Sequence, residues 1–108
     1  MSTDKSSVWQ SETAQQLAEA LVAIDNQQAM RDFLRDVMTE KEIAEISTRL
    51  EAARMLQAGR KYTDIVAKTK LSSRTVARIS DWLKNGCNGY QVALSTIHHD
   101  HILPARAD

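Results

Sequence analysis

Between Ala14 and Ile24 the apolar residues Ala14, Leu17, Ala18, Leu21 and Val22 recur at three- and four-residue intervals, which sets them along one side of an α-helix. Met30, Phe33, Leu34, Val37 and Met38 repeat the spacing, so a second amphipathic helix follows, with Asp25 or Asn26 placed to cap it. The third helix announces its start. In Thr39-Glu40-Lys41-Glu42 the side chains of Thr39 and Glu42 can each satisfy the other's exposed backbone donor, a capping box. Apolar positions Ile43, Ile46, Leu50, Ala53 and Leu56 continue from there, and Gly59 offers the left-handed conformation that ends the helix near Ala58.

A short helix over about Thr63 to Lys68 and another over about Ser73 to Leu83 come next, joined only by Thr69-Lys70-Leu71-Ser72. So short a connection makes the two cross steeply, with Ile65 and Val66 against Val76 and Ile79, Leu71 plugging the corner, and Ser72 or Ser73 capping the second helix. The pattern predicts a helix-turn-helix over about 60–84. Lys70 stands where the turn favours glycine, since a positive φ is needed there. A last helix, roughly Asn88 to Ile97, carries Tyr90, Ala93, Leu94 and Ile97 on one stripe. The expectation is an all-α domain of five to six helices over residues 11–98. Residues 1–10 and 99–108 lack periodicity and read as a flexible arm and a flexible tail.

Composition narrows the function. Three Gly and one Pro in 108 residues leave too little turn chemistry for an all-β fold. The single cysteine, Cys87, excludes an internal disulfide and points to a reducing compartment. No apolar stretch is long enough to span a membrane and the first ten residues do not read as a leader, so a cytoplasmic protein is expected. Fourteen basic residues balance fourteen acidic ones, but the balance is local. From Arg60 to Lys84 there are seven bases (Arg60, Lys61, Lys68, Lys70, Arg74, Arg78, Lys84) against Asp64 and Asp81, an excess of five positive charges that the rest of the chain offsets. A basic element on an acidic body suits a polyanionic partner.

With Val76, Ile79 and Leu83 inward, the second helix of the pair turns Ser73, Arg74, Thr75, Ala77, Arg78 and Asp81 outward. Arg74 can meet guanine bidentately or a phosphate; Ala77 and the Thr75 methyl allow close approach or contact with a thymine methyl. Thr63, Lys68 and Lys70 stand where phosphate contacts are expected, beside Ser72 and Arg78.

The run from Val37 to Lys84, with MTEKEIAEISTRLEAARMLQAG leading into YTDIVAKTKLSSRTVARI, resembles the Trp repressor family, most closely its shorter YerC/YecD-type branch. The pieces that carry the likeness are Thr39, Thr48-Arg49-Leu50, Arg54-Met55-Leu56 with Gly59, and Thr75-Val76-x-Arg78. The resemblance implies an intertwined homodimer whose two helix-turn-helix units read successive half-sites of double-stranded DNA as a transcriptional regulator, a repressor by family habit. It also implies a corepressor pocket, with Arg49 and Arg78 flanking an indole and Thr39 near the amino-acid end. Tryptophan-responsive members have glycine after the second arginine and serine three residues later, where this chain has Ile79 and Trp82. Both are larger, so L-tryptophan is not expected as corepressor and no cofactor is assigned.

Other chemistries are weaker. His98, His99, Asp100 and His101 hold the types that bind metal, but on a segment with no second shell to orient them they read as a solvated tail. No nucleophile with a neighbouring base and no glycine-rich phosphate loop is found, so an enzyme is not expected. Arg49 and Arg54 also suit simple pairing with Glu45 or Glu51 along the third helix. The alternative to DNA binding is a helical oligomerisation or adaptor module in which the helix-turn-helix is only a corner.

Overall fold

The computed structural model describes residues 7–97; residues 1–6 of the expected arm and the histidine-bearing tail lie outside them, whereas residues 7–10 of that arm form a helical turn. Among the described residues all regular structure is helical. A single 3-10 turn, Ser7–Gln10, precedes α1 (Glu12–Ala23), α2 (Gln27–Val37), α3 (Glu40–Gln57), α4 (Tyr62–Thr69) and α5 (Ser73–Asn85). Residues 89–97 form a further helix, α6. The chain divides into two compact units between Ile43 and Ala44.

In the first unit, side chains define the helix starts. Ser11 accepts from the Ala14 amide at 3.3 Å and Asn26 from the Ala29 amide at 2.8 Å, so each caps its helix with the oxygen that the exposed donors require. The capping box forms as well: the Thr39 amide donates to Glu42 Oε1 at 2.9 Å and the Glu42 amide to Thr39 Oγ1 at 3.1 Å. Yet neither α1 nor α2 buries a single residue, and their apolar stripes stay partly or wholly open, Val22 being 85% and Val37 55% exposed.

The second unit holds the core. Ala52, Ala53 and Met55 of α3, Ile65 of α4, Val76 and Ile79 of α5 and Leu94 of α6 are buried, with Leu50, Leu56, Val66, Leu71, Leu83 and Tyr90 packed around them. On α3 the expected stripe is buried in part, with Ala53 in the core and Leu50 and Leu56 packed on it, while Ala52 and Met55 join from outside the stripe, because apolar residues encircle this helix and α4, α5 and α6 cover only part of them. Ile46 is left 53% exposed. On α6, Leu94 is buried and Tyr90 and Ile97 half-buried, whereas Ala93 faces solvent.

Helix α3 ends in a Schellman motif: Arg60 donates to the Met55 carbonyl and Gly59 to that of Leu56, both at 3.0 Å, with Gly59 at φ 83. Helix α5 stops at Gly86, where a Cβ would come within 2.5 Å of the Trp82 carbonyl oxygen, so any larger residue would force the turn to shift. Lys70 adopts φ 65 between α4 and α5, the left-handed state expected of that turn. A side chain there is strained, so Lys70→Gly should raise the unfolding free energy by about 1 kcal/mol, read from the urea midpoint at unchanged m-value.

Candidate nucleic-acid interface

The turn between α4 and α5 is built by three hydroxyls. Thr69 Oγ1 donates to the Ile65 carbonyl at 2.7 Å and accepts from the Leu71 amide at 3.2 Å, closing the end of α4. Ser72, one of the two serines expected to cap α5, is the N-cap: its Oγ accepts from the Thr75 amide at 3.1 Å and lies 3.0 Å from Thr75 Oγ1. Leu71 tucks half-buried against the core, as its corner position requires. The two helices are thereby locked to each other and to α3 through Ile65, Val76 and Ile79.

With that side fixed, Ser73, Arg74, Ala77, Arg78 and Asp81 are exposed on α5, and Thr63, Lys68 and Lys70 on or beside α4. Thr75 departs from the expected outward set: it is half-buried, because its hydroxyl turns back to Ser72. Among the described residues, no carboxylate comes within ion-pair distance of Lys61, Lys70, Arg74, Arg78 or Lys84. The Asp81 carboxylate instead accepts from the Asn85 amide group at 2.8 Å. The helix-turn-helix therefore carries five exposed cations without a carboxylate partner, of which Arg74 and Arg78 are one turn apart on α5.

Lys68 is different. Its Nζ lies 3.6 Å from Glu51 Oε2, and Glu51 also receives Arg54 in a two-pronged contact, Nε to Oε1 at 2.9 Å and Nη2 to Oε2 at 2.7 Å. The sequence paired Arg54 with Glu51 but missed that the same carboxylate reaches across to α4. The Arg54 hydrogen bonds, opposed by partial burial and assisted by Lys68, hold the Glu51 carboxyl below its usual range. A depressed carboxyl contributes stability above its unfolded-state pKa and loses it as pH falls through the folded-state value. Glu51→Gln is expected to cost about 0.2 to 1 kcal/mol at neutral pH, and urea unfolding should show this difference fading in acid.

The residues expected around a ligand fall in both units. Thr39 belongs to the first unit, where its hydroxyl serves the capping box. Arg49 is exposed and unpaired with Glu45 or Glu51; its charge instead opposes the effect of burial on Tyr90, whose hydroxyl is pushed above its ordinary pKa. Arg78 is exposed, Ile79 is wholly buried in the core, and Trp82 is 39% exposed. A cleft of about 460 Å³ among the ends of α3, α4 and α5 and Gln91 contains none of them. Among the described residues no cluster of histidine, cysteine or acidic groups could hold a metal, Cys87 is exposed and free, and no helix is long and apolar enough to cross a membrane.

Two helices joined by three residues, the second held by its apolar side and baring arginines on the other, define a helix-turn-helix protein. The family model described as Trp repressor protein matches residues 12–98, and the chain belongs to the Trp repressor family. It is 32% identical over 82 residues to the uncharacterised protein YerC of Bacillus subtilis, covering 76% of this chain and 79% of that one. A TrpR-like protein from Eubacterium eligens superposes with a TM-score of 0.75 at 33% identity, over 82% of this chain and 91% of the other. A Trp repressor candidate from Staphylococcus aureus shares the fold, with a TM-score of 0.80 over 89% and 96% of the two chains at 24% identity.

Proposed function

We propose that this protein is a sequence-specific DNA-binding transcriptional regulator, most simply a repressor, that acts as a homodimer inside the cell and catalyses nothing. The observation that carries the proposal is α5 itself: Val76 and Ile79 are fully buried while Arg74 and Arg78, on the opposite side, are exposed and unpaired. A helix anchored in this way can enter the major groove without rotating, its N-terminal residues meeting base edges first. Phosphate contacts fall to Thr63, Lys68, Lys70, Ser72 and Arg78, and base contacts to Ser73, Arg74, Thr75 and Ala77.

Dimerisation is supported by what one chain leaves open. Amphipathic α1 and α2 bury no residue fully, and stripes of that apolar content call for further cover in water. A second copy would double the basic window and set two readers at a fixed spacing. Fluorescence anisotropy with random duplex DNA tests the reading, alongside sedimentation for the mass of the complex. With some 6 to 10 phosphates engaged, affinity should fall by roughly a thousandfold or more between about 50 and 200 mM salt. Selection from a random duplex pool should return paired half-sites; a salt-independent or absent signal overturns the proposal.

Tryptophan is not the effector in this reading. Ile79 fills core volume where responsive members have glycine, and Trp82 brings its own indole to the neighbouring surface. Calorimetric titration with L-tryptophan should give no saturable heat; a micromolar isotherm would reverse the assignment.

A further inference from the structure

We propose that an apolar notch between α4 and the first turn of α5 receives the 5-methyl group of a thymine, making it a sequence-reading element separate from the arginines. The inference rests on the DNA-binding reading above and adds a base preference to it. The notch, about 290 Å³, is lined by Tyr62, Thr63, Val66, Ala67 and Ser73. The four from α4 fall at positions i, i+1, i+4 and i+5, which is one face of that helix, and Ser73 is the first residue of α5. The other side of α4 is already spent, with Ile65 in the core and the Thr69 hydroxyl on the Ile65 carbonyl. Tyr62, Thr63, Ala67 and Ser73 are exposed, so the hollow opens outward at the end of α5 that meets base edges first.

Its surroundings select the occupant. The chain neighbours Lys61, Lys68 and Arg74 are exposed cations, as is Lys70 in the turn, and the acidic neighbour Asp64 is paired with Arg60, so the surroundings repel the same window of a second copy and attract a polyanion. Among the groups that duplex DNA presents in its major groove, the thymine methyl is the apolar one. The volume accommodates that methyl with the adjoining edge of its ring. Cytosine and uracil lack the methyl and would leave the hollow empty, so it favours thymine over both.

The test uses the full-length protein and a duplex chosen from a random pool, with each thymine replaced in turn by deoxyuridine and affinity read by anisotropy. One position in each half-site is expected to lose about fourfold on replacement, and the pair together about fifteenfold, the effect of withdrawing one buried methyl at each. Ala67→Leu, on an exposed helical position, fills the notch; it should erase the thymine-over-uracil difference there while thermal unfolding and affinity for random duplex stay within about twofold of the parent. Deoxyuridine tolerated at every position, or a preference that survives Ala67→Leu, overturns the notch and leaves the regulator reading standing. Failure to bind any duplex overturns both.

Discussion

Arg74→Ala is expected to weaken binding to a selected operator by about 1 to 3 kcal/mol per half-site, a loss of roughly 5- to 150-fold, while binding to random duplex falls far less. The asymmetry follows from position. Arg74 is the second residue of α5, one past Ser73, and its guanidinium is exposed and unpaired, so its two parallel donors are free for the O6 and N7 acceptors of a guanine. Lys68 supplies the contrast. It sits on α4 and shares Glu51 with Arg54, which suits a phosphate contact that fixes position without reading sequence. Lys68→Ala should therefore weaken all duplexes alike and lower the slope of log affinity against log salt by about one unit. Anisotropy titrations of both variants against selected and random DNA over a salt series check the pair. Equal losses on both duplexes for Arg74→Ala would make it a phosphate contact and leave base reading to Ser73, Thr75 and Ala77.

The elements were legible because their ends are written in side chains that satisfy backbone groups locally. Asn26, Thr39 with Glu42, Gly59 and Ser72 lie within four residues of the groups they serve, so spacing narrows each to one position or, for Asn26 against Asp25 and Ser72 against Ser73, to two. Lys70 was legible for the same reason: the turn demands a positive φ whatever residue fills it. What spacing does not encode is which side of an all-round apolar helix meets its neighbours. The choice of Ala52 and Met55 on α3 over Ile46 depends on where α4, α5 and α6 arrive, and so does the reach of Glu51 to Lys68. The notch on α4 has the same origin. Tyr62, Val66 and Ala67 read in sequence as ordinary positions of a short helix, and only the approach of Ser73 makes a hollow of them. The register of Thr75 points its methyl outward, but spacing does not show that its hydroxyl turns back to Ser72 and leaves the residue half-buried.

Ile79→Ala is expected to remove about 2 to 5 kcal/mol of stability, the largest loss of any single substitution in the recognition helix. Ile79 has no exposed surface and lies in a cluster of seven buried residues of which two are already alanines, so little remains to collapse into the space. The removed methyl groups forfeit their transfer free energy, and a rigid surround adds the cost of the cavity. Against a total of about 5 to 15 kcal/mol for a small protein, this is a large share. The urea midpoint should fall accordingly at little-changed m-value, and DNA binding should fade at temperatures where the parent protein is intact. Trp82→Ala is the internal standard. Trp82 is the larger side chain, but 39% of it is in water, so on burial alone its truncation should cost less than that of Ile79. The order of the two losses thus reports which side of α5 faces inward. If Trp82→Ala proved the more damaging, α5 would have to be turned about its axis, the arginines would leave the surface on which the proposed interface depends, and Arg74→Ala would then lose its selectivity between operator and random DNA.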